Sequence, residues 1–454
     1  MTEDKRFIEV SFPIKEVGEE SAREKYIRRG NISAIHIWWA RKPLSVSRAT
    51  NYASLISAPK NIEEWKETRK FIIELSKWDN SLKKSIINKA RENILIYFKG
   101  SPPKVLDPFG GGGSIPLEAA RLGCETYSND YNPISVFIQK ATLEYPKNFE
   151  LRQEWGELNL QRSNKLFSDV HKWARIILEN VSKEIQQYYP KDSDNSIPVG
   201  YIWSRTVICQ NPSCCVEIPL IRQFWLSKRV NNVALYMYTE NKKILFKIIG
   251  DAYESFPSNY NPSKGTIEKA IVTCPVCGNV IDDKELRKIF QDGKSSQKMI
   301  AVVLQSNKSG KKFRIATEND LETYKKVKSN LESKRKLFLD RYGIDPIPDE
   351  LIPTPCHDVD RPPMYGMLRW GDLFNDRQKL ALIKFTEEIL EIYPIMSNEY
   401  KDKLYVNTIY NILNLALDKL IMFSSSNCTW KPTTTQVISA FLGRQAIPMT
   451  WDYF

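Results

Sequence analysis

The chain has 454 residues, of which 42% are hydrophobic, and this length exceeds what one hydrophobic core usually fills, so we expect two or three folded units. Its 66 lysines and arginines outnumber its 54 aspartates and glutamates, and the resulting charge of +12 favours an acidic partner without identifying it. No apolar run reaches the roughly 18 residues of a membrane-spanning helix, and the first residues lack an export signal, so a cytoplasmic location is expected.

The N-terminal part is predicted to be helical. Residues 36–44, HIWWARKPL, lead into a helix that begins near Pro43, because proline fits the first helical turn. Residues 61–98 carry apolar residues at helical spacing, which predicts two further helices. Trp38 and Trp39 have two possible roles. They could pack in a buried apolar stripe, or they could cover a cofactor or stack on a base.

A glycine-rich loop follows in the segment 101–198. Residues 107–114, DPFGGGGS, come after a short apolar strand and open a helix, and a second strand ends at Asp130. Missing side chains let a ligand approach the backbone, and the N-terminus of a helix offers free N–H groups. A dinucleotide site would need a third glycine where Pro116 stands. Because Asp107 suits a cationic amino acid group and Asp130 can accept ribose hydroxyls, the pattern favours S-adenosylmethionine.

Two close pairs of cysteines lie in a segment that is rich in short strand-like runs and is predicted to be an insertion. Each pair stands beside strand-like sequence, as in a zinc ribbon that brings four thiolates into a tetrahedron. A site closed by four cysteines would stabilise the insertion and would not activate water. Cys215 is an alternative to Cys214. The expected zinc ligands are Cys209, Cys214, Cys274 and Cys277.

The glycine loop resembles the D-P-F-x-G-x-G cofactor loop of the amino-methyltransferases of DNA. Residues 36–44 look like a variant of their H-x-x-x-K-P-L segment, with five residues instead of three between His36 and Lys42, and that segment lies over the methionine part of the cofactor. Together with the cysteine pairs, these motifs closely resemble the zinc-ribbon-containing adenine-specific DNA methylase family. The resemblance implies S-adenosylmethionine as the cofactor and DNA as the partner. The residues expected to bind the cofactor are Asp107, Pro108, Phe109, Gly111, Gly113, Asp130, Asn132, Lys42 and Pro43.

The catalytic residues stay unassigned. That group directs the amine of the target base with a short [DNS]-P-P-[YFW] loop, and residues 101–104, SPPK, and 360–365, DRPPMY, match it only in part. In the family, the catalytic loop lies beyond a segment that is similar to residues 443–452. We therefore expect this loop in a missing C-terminal part or on a second polypeptide that carries a D-P-P-Y-type sequence.

The predicted fold is α/β, with a Rossmann-like class I methyltransferase sheet, complete or incomplete, an inserted β-rich zinc ribbon and a helical C-terminal part. The expected function is S-adenosylmethionine-dependent methylation of DNA amines, with adenine N6 favoured. The alternatives are an RNA methyltransferase, because residues 114–120, SIPLEAA, also fit the tRNA guanine enzymes, and a non-catalytic zinc-containing subunit that binds nucleic acid or a partner. The predicted segments are 1–100 (helical, with the HIWWARKPL motif), 101–198 (cofactor core), 199–318 (zinc ribbon) and 319–454 (helical).

Overall fold

A computed structural model of the chain describes residues 5–27, 30–150, 160–229, 231–306, 310–439 and 446–454. It forms two compact units, which are Met1–Lys172 with Ile395–Ala416 and Trp173–Pro394 with Leu417–Phe454. Helices and strands make the fold a mixed α/β one, as the sequence predicts. Within the described ranges, the helices are too short or too polar to cross a membrane.

The helices of the described residues range from a single turn to 26 residues. A π-helical turn, Lys140–Glu144, joins the seventh to the eighth. They are α1 (Phe7–Val10), α2 (Ile14–Glu24), α3 (Leu44–Ser54), α4 (Ile62–Ser76), α5 (Lys84–Tyr97), α6 (Ser114–Arg121), α7 (Pro133–Gln139), α8 (Tyr145–Glu150), α9 (Leu160–Ile185), α10 (Asp283–Gln291), α11 (Glu318–Tyr342), α12 (Arg361–Met364), α13 (Asp376–Glu399) and α14 (Lys403–Phe423).

Most strands lie in the second unit, where the sequence predicts a strand-rich block. The strands of the described residues are β1 (Lys104–Asp107), β2 (Glu125–Ser128), β3 (Ile197–Ile208), β4 (Glu217–Pro219), β5 (Trp225–Ser227), β6 (Val233–Glu240), β7 (Lys243–Gly250), β8 (Ile267–Glu268), β9 (Ile271–Thr273), β10 (Val280–Ile281), β11 (Ser295–Ser306), β12 (Gly310–Ile315), β13 (Thr429–Lys431), β14 (Gln436–Ile438) and β15 (Asp452–Tyr453).

The first unit is built around the N-terminal helices. As predicted, α3 begins directly after Pro43, and α4 and α5 occupy residues 61–98. The side chain of Asn61 accepts a hydrogen bond from the backbone N–H of Glu64 at 2.8 Å and so caps α4. The apolar faces of these helices meet α6 in one core. Its buried residues include Phe7, Ala49, Tyr52, Ile72, Leu75, Ile94, Ala119 and Leu122.

The glycine loop lies in a β1-α6-β2 unit, as the sequence predicts. β1 and β2 pair in parallel, with Leu106 opposite Tyr127. In the described part of the chain this sheet has two strands, so a complete Rossmann-like sheet is not seen there. On one face Leu106 and Tyr127 are 68% and 47% exposed, whereas parallel sheets are usually covered on both faces.

The second unit contains a curled sheet in the order β12-β11-β3-β15, in which β4 also pairs with β3. The pairing of β11 with β3 is interrupted by two register shifts, which bend the long strands. Two further three-stranded sheets have the orders β5-β6-β7 and β10-β9-β8. Buried residues from these sheets and from α10 form a single apolar cluster, which includes Ile218, Leu220, Leu235, Ile281, Leu286 and Val303.

The C-terminal part is helical over α11, α13 and α14 but not throughout, which corrects the prediction of a helical region. β15 pairs with β3, and the ring of Tyr453 stacks parallel to that of Trp203, with the centroids 6.1 Å apart. Tyr453 is fully buried in this position. The two-residue strand therefore owes its conformation to the sheet that it joins, which no local pattern could indicate.

Candidate functional site

The carboxyl ends of β1 and β2 meet at the glycine loop. The N–H of Asn129 donates to the carbonyl of Asp107 at 2.9 Å, and the N–H of Gly110 donates to the carbonyl of Asn129 at 2.9 Å. Gly113 has φ of +82° and immediately precedes α6, so it makes the left-handed turn that starts the helix. The loop is thus tied to both strands at the edge where ligands of open α/β sheets bind.

Asp130 holds the loop through both of its carboxylate oxygens. One accepts the N–H of Asn132 and the other accepts the N–H of Gly111, each at 2.9 Å. These two backbone donors, that of Asn132 first, lower the pKa of Asp130 below its ordinary value. Each oxygen keeps a second lone pair, so the predicted acceptance of ribose hydroxyls stays a prediction beside this anchoring role.

Helix α7 holds the same loop from its other side. The carbonyl of Gly111 accepts the hydroxyl of Ser135 at 2.6 Å and the side-chain amide of Gln139 at 3.0 Å. Both side chains are buried. The side chain of Asn132, a predicted cofactor ligand, caps α7 by accepting the N–H of Ile134 at 2.9 Å. The backbone at Gly111 is therefore fixed through both its N–H and its carbonyl.

Trp38 lies directly against the glycine loop. A Cβ atom added to Gly111 would stand 2.7 Å from the indole Nε1 of Trp38, and one added to Gly112 would stand 3.1 Å from its Cβ. Trp38 also packs against a buried cluster that includes Ile138 and Tyr145. The motif 36–44 and the loop thus meet, and close packing of an indole is one physical reason for glycine at these two positions.

We predict that Gly111→Ala destabilises the first unit by about 1–2 kcal/mol, because its φ is +53° and left-handed backbone is unfavourable for alanine. The contact with Trp38 adds to this loss. Gly18→Ala is the matched control, since Gly18 lies inside α2 with nothing within 4 Å of its added Cβ and should gain up to about 1 kcal/mol. Urea unfolding followed by circular dichroism measures the free energy of unfolding of both variants. If both variants changed it in the same direction, the left-handed backbone of Gly111 would not be what requires glycine there.

The other predicted cofactor residues differ in how exposed they are. Asp107 is half-buried, and its carboxylate accepts the N–H of Phe109 at 3.1 Å. Phe109 itself is 82% exposed. Lys42 is exposed, and Pro43 stands as the residue before α3. Pro108 is also exposed.

Glu24, which the sequence did not single out, fixes the start of α3. Its buried carboxylate accepts the N–H groups of Leu44 and Ser45, both at 2.9 Å, and the hydroxyl of Ser45 at 2.7 Å. A negative charge at the N-terminus of a helix is favourable. This carboxylate therefore sets the position of the K-P-L end of the motif. Glu24 is 20 residues away from Leu44 along the chain, so no local sequence pattern could indicate the contact.

A buried ion pair joins α3 to the helix of the glycine loop. Arg48 and Glu118 have fully buried side chains, and their charged groups are 3.1 Å apart. The guanidinium also donates to the carbonyls of Leu75 and Ser76, at 2.7 and 3.1 Å. The second oxygen of Glu118 accepts from Arg121 at 2.5 Å. The N-terminal helices and the loop helix α6 are consequently parts of one packed structure.

The second unit brings the four predicted cysteines together. Their sulfur atoms all lie within 4.8 Å of one another. Cys209 is 3.6 Å from Cys277, and Cys214 is 3.8 Å from Cys274. Four thiolates around a zinc ion at about 2.3 Å would be about 3.8 Å apart. The cluster is therefore placed to bind a metal such as zinc, as predicted.

The backbone around the cysteines forms two turns whose N–H groups point at the cluster. The N–H of Asn279 lowers the pKa of Cys277 to about 7, whereas burial raises that of Cys209 to about 12. Cys215 is exposed, and its thiol points back to the carbonyl of Pro212 at 3.2 Å. Cys214 and not Cys215 therefore belongs to the cluster.

The geometry thus defines a first unit in which a helical N-terminal segment packs on a glycine loop and a second unit that carries a cysteine cluster. A protein-family model described as a protein of unknown function (DUF1156) matches residues 11–80. This stretch includes Glu24, the motif 36–44 and Arg48. Comparison with curated proteins and with solved structures finds no match.

Proposed function

We propose that this chain is the cofactor-binding half of an S-adenosylmethionine-dependent DNA amino-methyltransferase, with adenine N6 as its target. The observation that supports this most is the glycine loop, which lies between two parallel strands and has a carboxylate at the end of each, Asp107 and Asp130. The resemblance to the zinc-ribbon-containing adenine-specific DNA methylase family belongs to the same proposal.

The residues of the loop have distinct roles in this proposal. When bound, S-adenosylmethionine would supply the methyl group of its sulfonium to the target amine, with the carbon–sulfur bond breaking to leave the neutral thioether S-adenosylhomocysteine and the amine proton passing to water. Asp107 is half-buried and bonded to one N–H, so its charge remains available to the ammonium group of an amino acid. Asp130 would offer its remaining lone pairs to ribose hydroxyls while it holds Gly111 in place.

The cysteine cluster would hold a structural zinc ion through Cys209, Cys214, Cys274 and Cys277. Four thiolates fill the coordination sphere of zinc, so this ion would stabilise the second unit and would leave no position for water or substrate.

Catalysis in this proposal depends on a D-P-P-Y-type loop that a second polypeptide would supply. Two observations support this. The sequence contains no complete [DNS]-P-P-[YFW] motif, and the parallel pair β1-β2 leaves Leu106 and Tyr127 exposed on one face. DNA is the proposed partner, in keeping with the positive charge of the chain.

Calorimetric titration with S-adenosylmethionine tests the proposal. We expect saturable binding by the wild type and a loss of about ten-fold or more in Asp107→Asn, which keeps the acceptor for Phe109 but removes the charge. Asp130→Ala should bind still less, because both the loop and the acceptor are lost. Asp79→Asn, in an exposed ion pair with Arg23, is the control and should bind as the wild type does.

Absence of binding by folded, metal-loaded wild type would contradict the proposal and favour a second candidate, a non-catalytic subunit that binds nucleic acid or a partner. One observation favours this candidate, which is the packing of Trp38 on Gly111 and Gly112. This packing explains why glycine stands at two positions of the loop, and it requires no bound ligand. Equal affinity of Asp107→Asn and wild type would likewise remove Asp107 from the site.

A further inference from the structure

The positive charge of the chain is concentrated in the segment that holds the cysteine cluster. Residues 199–318 contain 18 lysines and arginines against 10 aspartates and glutamates, which is a net charge of +8. The other 334 residues contain 48 against 44, which is +4. An acidic partner is therefore attracted chiefly to this segment.

Within this segment, the sheet β5-β6-β7 has one apolar face. Its other face is buried at Ala234 and Ile249 and is aromatic and basic along the rest of β6 and β7. On the apolar face, Leu235, Phe246 and Ile248 are buried in the core of the second unit. Side chains alternate along a strand, so the neighbours of these residues point to the opposite face. The register pairs Tyr236 with Lys247, Tyr238 with Leu245 and Trp225 with Ala234 there. We call Trp225, Tyr236, Tyr238, Lys228, Lys243 and Lys247 the aromatic-basic face.

Two rings of this face, Trp225 and Tyr236, are held in place by neighbours. The indole N–H of Trp225 donates to the hydroxyl of Ser263 at 2.9 Å. Tyr260 packs edge-on against Tyr236, with the centroids 5.0 Å apart, and its hydroxyl donates to the carbonyl of Leu235. Tyr238 is exposed. A ring that is already ordered loses little conformational entropy when a ligand stacks on it.

Cations stand beside these rings. The ammonium of Lys228 lies 5.2 Å from the ring centroid of Trp225, and that of Lys247 lies 5.5 Å from that of Tyr236. Lys243 and Lys228 are exposed. The acidic neighbours are Glu254, which pairs with Lys247, Glu240, which stands opposite Lys243 in the register, and Asp251. Apart from the pair of Lys247 with Glu254, two acidic residues remain, Glu240 and Asp251. They are outnumbered by five basic residues, which are Lys228, Arg229, Lys242, Lys243 and Lys264.

We propose that the aromatic-basic face binds single-stranded DNA, with bases stacked on Tyr238 and its neighbouring rings and with phosphates near Lys228 and Lys243. Alternate residues of a strand are about 7 Å apart, so Tyr236 and Tyr238 can receive successive unpaired bases. Paired bases in a duplex hide their faces from such rings, which is why the single strand fits. The proposal goes beyond cofactor binding and does not need it, but its choice of DNA over RNA rests on the proposed function.

Fluorescence anisotropy of labelled oligothymidylate with the full, zinc-loaded chain tests this without S-adenosylmethionine. Tyr238→Ala should weaken binding at least about five-fold, and Tyr238→Phe should retain it, because stacking needs the ring. Tyr26→Ala removes an exposed tyrosine of the first unit and should leave the affinity unchanged. Circular dichroism confirms that each variant is folded.

The lysines are tested by the salt dependence of the same binding. The double variant Lys228→Ala with Lys243→Ala should reduce the slope of log K against log salt by about 1.4, which is about 0.7 for each lost phosphate contact. Lys325→Ala with Lys328→Ala, on the exposed side of α11, removes the same charge and should leave the slope unchanged.

Four results would overturn the proposal. The first is that Tyr238→Ala binds with wild-type affinity, and the second is that the two double lysine variants have equal slopes. The third is that duplex DNA or oligouridylate competes as strongly as oligothymidylate, and the fourth is that polyglutamate does so. The last would assign the face to an acidic protein. Because no cofactor is present in this assay, its failure leaves the calorimetric result for S-adenosylmethionine unaffected.

Discussion

Cys274→Ser is expected to abolish stoichiometric zinc binding and to unfold the part of the second unit around the cysteine cluster. Cys274 is buried, and its sulfur lies 3.8 Å from that of Cys214. Structural zinc contributes about 10–16 kcal/mol to the folding of small zinc domains, and loss of one thiolate removes much of this. Chelation of the metal from the wild type should have the same effect. Metal analysis by mass spectrometry and thermal unfolding by circular dichroism measure both.

Cys215→Ser is the matched control for this variant. It changes the same chemical group one residue from Cys214, but the thiol of Cys215 is exposed and points to the carbonyl of Pro212. Its zinc content and melting temperature should equal those of the wild type. If Cys274→Ser also kept one zinc per chain and the wild-type melting temperature, the cluster would not be a metal site.

Arg48→Met is expected to destabilise the first unit by about 3–5 kcal/mol. The substitution leaves Glu118 without its buried partner and leaves the carbonyls of Leu75 and Ser76 without the Arg48 donors. Removal of one member of a buried ion pair is costly because the remaining charge stays out of water. Arg121, which is partly exposed, still reaches Glu118 and moderates the loss. Urea unfolding followed by circular dichroism gives the change in free energy.

Two further variants test whether the loss of stability comes from the buried ion pair or from the change of an arginine to a methionine as such. Arg23→Met removes an exposed arginine that pairs with Asp79, and it should change stability far less than Arg48→Met, because exposed ion pairs contribute little. The double variant Arg48→Met with Glu118→Leu leaves no unpaired carboxylate and should recover part of the stability. A cost below about 1 kcal/mol for Arg48→Met, or no recovery in the double variant, would show that the pair does not join α3 to α6.

Local patterns were sufficient for several elements. The helix after Pro43 and the helices within 61–98 follow from apolar periodicity and from residues that favour helix starts, which act over a few positions. The β1-α6-β2 unit follows from a short apolar run, glycines and a helical pattern in direct succession. The four segment boundaries, the cofactor and the partners remain predictions.

The sequence by itself determined the two cysteine turns and the glycine loop, because their chemistry lies in residues a few positions apart. Only the tertiary structure decided that Cys214 and not Cys215 joins the cluster, because the choice depends on which way each thiol points. It also decided the burial of Arg48 with Glu118 and the packing of Trp38 on Gly111. These contacts join residues about 70 positions apart, and the free energy of such contacts comes from burial and charge pairing that no local pattern records.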